Sequence, residues 1–237
     1  MPHFFIEVFN IELSIIYQNE QLIAINKPHG LLVHRSRIAR DAQEFALQLL
    51  RDQIGQPVYP VHRLDRKTSG VLLFAKSKEM NAYFQEQFRE QRTEKVYHAL
   101  VRGFILPEGH IDYALKNEDK VQEAQTDYRC LAQYELPLPF GKFSTSRYSL
   151  VELQPQQGRF HQLRKHMAHI FHPIIGDRPH GCNKQNRLWK EQFGMTNMLL
   201  HAKTLTLVLP DGQELRLNAP YSATFSKVLD TLAQYKI

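Results

Sequence analysis

The residues best suited to chemistry lie in two short stretches. The first is His62-Arg63-Leu64-Asp65-Arg66-Lys67-Thr68-Ser69-Gly70. Asp65 is the one acid among three Lys/Arg cations, and neighbouring positive charge favours the anionic form of a carboxylate. Such an anion is a poor general acid but a competent nucleophile or electrostatic stabiliser. The plainer reading is a surface loop whose aspartate only neutralises its neighbours. The second stretch is Gly158-Arg159-Phe160-His161-Gln162-Leu163-Arg164-Lys165-His166. On a helix, positions 161, 164 and 165 share a polar face, because residues three and four apart are neighbours. A partly buried Arg164 would need a carboxylate, and Asp65 is the best candidate in the chain. The alternative is a solvated basic face.

Two further patterns carry less. His166, His169 and His172 invite a metal reading, but this spacing brings 166 and 169 together and turns 172 away, and no Glu lies between two histidines four apart. No metal site is expected. Tyr97, within Glu94-Lys95-Val96-Tyr97-His98-Ala99-Leu100, reads as half-buried strand packing. It becomes a ring for stacking on a base only if a pocket forms around Asp65.

The elements that must hold these residues follow from apolar periodicity and turn residues. Residues 11–17 and 22–25, separated by Gln18-Asn19-Glu20, predict a hairpin. Asp41 is placed to cap a helix with Phe45, Leu49 and Leu50 on one face, ended by Gly55 and Pro57. Residues 71–75 predict a buried strand. Ser77 caps a second helix on which Met80, Phe84 and Phe88 recur every four residues. Residues 96–101, 147–153 and 199–209 predict strands, the last returning through Pro210-Asp211-Gly212 into 214–217. Residues 160–171 predict a third helix, stopped by His172-Pro173, and residues 136–143 a surface loop. Strands mixed with three or four helices, without regular alternation, predict an α+β fold with a mainly antiparallel sheet.

The 237 residues carry 30 Lys+Arg against 24 Asp+Glu, a net charge of +6. Residues 26–40, 62–70 and 159–187 together hold +11, so the rest of the chain is −5; eight of the twelve histidines fall in the same segments. An acidic body with three basic segments reads as a polyanion-binding surface more than a solubility device. Cys130 and Cys182 are too few for a disulfide framework and fit a reducing, cytoplasmic setting. No stretch approaches the roughly 20 apolar residues of a membrane span, and no leader opens the chain.

Taken together, these motifs resemble those of the RluA-type pseudouridine synthases. Residues 62–70 read as HRLDxxTSG. Residues 158–166 with His172-Pro173-Ile174-Ile175-Gly176-Asp177 read as GRxHQ[IL]RxH and HPIxGD. Residues 26–34 resemble NKPxGLxVH, and Lys95-x-Tyr97-x-Ala99 and Leu200-His201-Ala202 match two shorter signatures. The resemblance runs in order from about residue 13 to about 220.

It implies an α+β fold built on a bifurcated mixed sheet flanked by helices. It also implies Asp65 as the catalytic carboxylate, Tyr97 as the ring beside the target base and Arg164 as the partner orienting Asp65. Leu163 would line the uracil pocket, Arg63 would occupy the space left by an extruded base, and His62 and Arg159 complete the expected substrate-binding set. Neither metal nor organic cofactor is implied. Phe160, Phe171, His180-Gly181, His34-Arg35-Ser36 and Lys184-Gln185-Asn186-Arg187 depart from the broader pattern and are similar to the branch acting on uridine 65 of the tRNA T stem. Residues 1–10 match nothing in the family. They are read as an extension, with 11–237 as one catalytic domain lacking a separate RNA-binding domain, monomeric and without an obligate protein partner. Ribosomal RNA as substrate, or an RNA-binding module without turnover, are the competing readings.

Overall fold

The computed structural model describes residues 12–35, 44–117 and 120–237. Residues 1–10 and the expected cap Asp41 lie outside them. The first predicted hairpin forms as β1 (Ile15–Gln18) and β2 (Leu22–Lys27), paired antiparallel. Its turn is closed by Asn19, whose Oδ1 accepts from the amides of Gln21 and Leu22 at 2.9 and 2.7 Å. Next comes α1 (Ala46–Ile54), ended by Gly55 at a φ of 68°. The short β3 (Tyr59–Pro60) precedes β4 (Ser69–Ala75), in which every residue is buried. Such a continuous apolar run is what a strand covered on both faces requires. Ser77 caps α2 (Lys78–Arg89), its side chain accepting from Met80 N.

The remaining strands are β5 (Glu94–Arg102), β6 (Glu108–Asp112), β7 (Leu115–Asn117), β8 (Lys120–Gln122), β9 (Gln125–Leu136), β10 (Ser146–Pro155), β11 (Leu200–Val208) and β12 (Glu214–Asn218). The helices α3 (Gln162–His169) and α4 (Asn183–Phe193) separate β10 from β11, and α5 (Ala223–Leu232) ends the chain with a 3-10 turn at Ala233–Tyr235. The ten-stranded sheet runs β1-β2-β4-β11-β5-β10-β9-β6. Only β4 and β11 run parallel among these pairs. The sheet forks at β11, where His201 and Ala202 pair with Ser69 and Gly70 of β4 while residues 204–208 pair with β12. The α+β class and the bifurcated mixed sheet are therefore as expected.

Two boundaries differ from the sequence reading. The third helix is shorter than 160–171: His161 and Phe171, at φ of 57° and 65°, are left-handed and bracket it. Strand β9 occupies residues 125–136, so the loop begins only at its end.

Four apolar clusters fill the layers. Leu64, Leu72 and Phe74 pack with Leu50 of α1. Leu163 and Met167 of α3 pack on Ala99, Val151 and Leu200 of β5, β10 and β11. Burying a leucine of this kind contributes about 2 kcal/mol. Both clusters touch Tyr97, so the fork of the sheet lies between them. Among the described residues no helix is long and apolar enough to cross a membrane.

Candidate active site

Asp65 projects from the loop between β3 and β4, just before the fork. Leu64, 6 % exposed, anchors the loop in the core, and Thr68 N donates to Asp65 O at 3.0 Å to close a turn. Gly70, at a φ of 109°, has no room for a side chain, since a Cβ would collide with the backbone of Ala202. Only glycine combines that conformation with that approach.

The loop is braced from behind by residues 26–34. The fully buried Lys27 donates from Nζ to the carbonyls of Pro28, Leu31 and Arg66 at 2.9, 2.8 and 3.1 Å. Burial pushes its pKa down to about 7, the charge of Asp65 opposing the shift. Gly30 N donates to Arg66 O at 2.8 Å, and Arg66 Nε returns a bond to Gly30 O at 3.0 Å.

The opposite wall comes from the β10–α3 connection. Gln162 ties it to β9: its Oε1 accepts from Arg159 N, and its Nε2 donates to Gln125 O and Thr126 Oγ1. Leu163 enters the core while keeping an edge in the cavity. Arg164 is 5 % exposed and grips two carboxylates: Nε and Nη2 donate to the two oxygens of Asp177 at 2.8 Å each, and Nη1 donates to Asp65 Oδ2 at 3.0 Å. Burial weakens the guanidinium, but the bonds and charges of Asp177 and Asp65 outweigh it and push its pKa up. It is a permanent cation, as arginine is elsewhere.

These walls enclose a cavity of about 230 Å³. Asp65, Tyr97, Arg164, Arg63, Arg159 and Leu163 all line it, joined by Leu64, Lys95, Phe160, His161 and Leu200. Tyr97, on β5 opposite Ala202, presents its ring. Burial first, and the charge of Asp65 second, push its hydroxyl pKa well up, so it is a neutral phenol. Burial lowers His161 to about 4, which leaves a neutral imidazole whose Nε2 lies 3.7 Å from Asp65 Oδ2. Its Nδ1 meets His180 Nε2 at 2.9 Å. Lys95 is lowered to about 8 by burial. The arrangement offers one carboxylate, held by arginine on one oxygen, in a cavity of mixed apolar and aromatic walls.

His62 is not brought into this set. Its ring stacks on Phe88, centroids 5.0 Å apart, and its Nε2 accepts from Leu73 N at 3.1 Å. Burial pushes it to about 4, the neutral form that can accept that bond. It secures β4 and, unlike the other expected site residues, does not line the cavity.

The three histidines of α3 and its exit are likewise spent on packing. His166 meets Thr126 Oγ1 and Tyr113 O, His169 stacks on Tyr113, and His172 meets Arg102 O.

Sequence reasoning missed Asp177 as the main partner of Arg164. The signal was present, since a buried arginine with three donor nitrogens can satisfy two carboxylates, and Asp177 is the only acid in the third basic segment, residues 159–187.

Residues 21–169 match the family model described as RNA pseudouridylate synthase. The chain is 48 % identical to the tRNA pseudouridine synthase C of Vibrio parahaemolyticus, over 92 % of this chain and 94 % of that protein. It is 50 % identical to the protein of the same name from Yersinia pestis, over 87 % and 86 %. Among solved structures it is similar to human RNA pseudouridylate synthase domain containing 4, with a TM-score of 0.73 and 26 % identity over 93 % of each chain. Human RNA pseudouridylate synthase domain containing 1, at 22 % identity and a TM-score of 0.70, covers 94 % of this chain and 96 % of that one and shares the fold.

Proposed function

The chain belongs to the RNA pseudouridylate synthase family, and from that premise we propose that it converts a uridine of tRNA, uridine 65 of the T stem, into pseudouridine. The observation that carries this reading is the cavity itself, where Asp65 stands beside Tyr97 with Arg164 locking one of its oxygens. The relatives named tRNA pseudouridine synthase C support tRNA as the substrate class.

A stacked uridine cannot present its glycosidic bond to a carboxylate, so the base must leave the helix, at a cost of a few kcal/mol. Arg63, exposed at the rim, suits the space the base vacates. Inside, the ring of Tyr97 packs against the uracil, and Leu163, Leu64 and Leu200 form apolar walls that keep the detached base from water.

The contacts of Arg164 and His161 both fall on Oδ2 of Asp65. Among the described residues Oδ1 has no protein partner, so it is the oxygen free for covalent chemistry. The glycosidic bond between uracil N1 and ribose C1′ breaks, the freed uracil turns within the cavity, and its C5 bonds to C1′. The C5 proton is lost and N1 gains one, so the isomerisation is balanced without a co-reactant. The substrate and chain would act in the cytoplasm, where tRNA is modified.

The test is to map pseudouridine in total tRNA and ribosomal RNA from cells lacking this protein and from cells restored with it. Loss and recovery confined to tRNA position 65 is the expected result. Loss in ribosomal RNA, with tRNA unchanged, would assign the other substrate.

A further inference from the structure

Arg164 and Asp177 are the hinge between the catalytic cavity and a second, larger cleft of about 470 Å³ on the far side of Asp177. Its walls are Gly176, Arg178, Met195 and Thr196 on one side and the α4 residues Asn183, Asn186, Arg187, Lys190 and Glu191 on the other. On α4 these side chains recur at spacings of three and four, on a single face. Gln185 and Trp189 are buried on the opposite face, so α4 is fixed in the fold and its polar face has no freedom to roll.

The cleft is rigidly tied to the site. Asn186 accepts from Gly176 N at 2.8 Å and donates to Asp177 O at 2.7 Å, gripping the segment that carries the carboxylate of Asp177. Arg178, Arg187 and Lys190 are exposed, and among the described residues none of them forms an ion pair. Glu191 is the one carboxylate in the walls. A solvated basic stripe would be convex and interleaved with acids, whereas this one is concave and nearly acid-free.

The cationic field also continues to the catalytic loop. The Lys67 ammonium is disfavoured by burial first and then by the nearby charges of Arg178 and Arg164. Like charges crowded along one path are relieved by a polyanion laid over them.

We propose that this cleft is a second RNA-binding site, in which Arg178, Arg187 and Lys190 hold the sugar-phosphate backbone of the substrate beyond the flipped nucleotide. The inference rests on the reading of the chain as an RNA-modifying enzyme and adds to it where the rest of the helix lies. The backbone would run from the Asp65 loop past Lys67 and Arg178 to α4, with Asn183 as a neutral donor at its far end.

The experiment measures binding of a tRNA transcript to the full chain as a function of salt, without turnover. The Arg187→Ala/Lys190→Ala double variant is compared with the parent and with Lys78→Ala/Lys227→Ala. The latter makes the same change in net charge on α2 and α5, which line neither cleft. The slope of log affinity against log salt should fall in magnitude by about 1.4–1.8 in the α4 variant, with affinity lower by roughly tenfold or more near 0.1 M salt. The control pair should keep the parent slope.

A slope unchanged in the α4 variant, or an equal loss in the control pair, overturns the proposal while leaving the parent's tRNA binding intact. A parent chain with no salt-dependent tRNA binding would instead remove the functional reading beneath it. Both α4 side chains are exposed, so folding of the variant is checked by circular dichroism alone.

Discussion

Asp177 and Lys27 show how much of the site depends on residues that never face the cavity. Asp177, 1 % exposed, satisfies two of the three donor nitrogens of Arg164 and so fixes the third against Asp65. Replacing it with alanine leaves a buried guanidinium half-compensated, which costs about 3–5 kcal/mol. Asp177→Ala should therefore lower the denaturation midpoint and reduce turnover at saturating tRNA. Asp177→Asn, which keeps one acceptor, should recover part of both.

Lys27 makes a pH-dependent contribution. Its folded pKa of about 7 lies below the 10.5 of an exposed lysine. Between those values the unfolded chain holds the extra proton, so stability rises with pH. Unfolding free energy should increase by about 2 kcal/mol from pH 7 to 9 on this account, with Lys95, at about 8, adding in the same direction. In Lys27→Met the rise should shrink to the share of the other lysines that burial lowers, Lys95 together with Lys67 and Lys203. The protein should also lose about 1–3 kcal/mol at neutral pH, because three carbonyls lose their donor. Urea titrations of both proteins across that range would show it. His62 stands apart: its place in the motif suggested contact with substrate, and its ring stacks on Phe88 with Nε2 on a strand amide, outside the cavity lining.

At the level of elements, the readable parts were those whose burial is extreme. Strand β4 is apolar without interruption and buried throughout, and α2 repeats Met80, Phe84 and Phe88 behind a serine cap. Strand β9 was not legible because most of its twelve residues are only half-buried, so no two-residue alternation marks it. Helix α4 is strongly polar, with Trp189 its only buried apolar residue, too little for an apolar face to be read.

The span of α3 was overestimated because propensity runs on through Phe160 and Phe171, while the backbone turns left-handed at His161 and Phe171. Phe171 is 87 % exposed and its ring gains little from burial. A left-handed, non-glycine residue costs about 1 kcal/mol or more. Phe171→Gly should thus raise stability by about 0.5–1 kcal/mol, or roughly 1–4 °C in melting temperature. At Gly70 the same conformation is joined by contact with the Ala202 backbone, and Gly70→Ala should destabilise the fork and abolish turnover.

Over the whole molecule, the uneven charge was the most informative feature of the sequence. Segments 62–70 and 159–187 meet at Asp65 and Arg164, which are 99 residues apart in the chain, and residues 26–34 brace the loop between them. Composition located the basic segments but not their meeting point, because that depends on β4 and β11 running parallel at the fork. The Arg164–Asp65 pair was legible because a buried guanidinium needs an anion. Its second anion was not, because one partner already seemed enough.

The account as a whole stands on Asp65 being the group that attacks, and Asp65→Asn tests it most directly. The amide oxygen can still accept from Arg164, so the cavity and tRNA binding should persist while pseudouridine formation in a single-turnover assay disappears. Pseudouridine appearing at the parental rate in Asp65→Asn would contradict it.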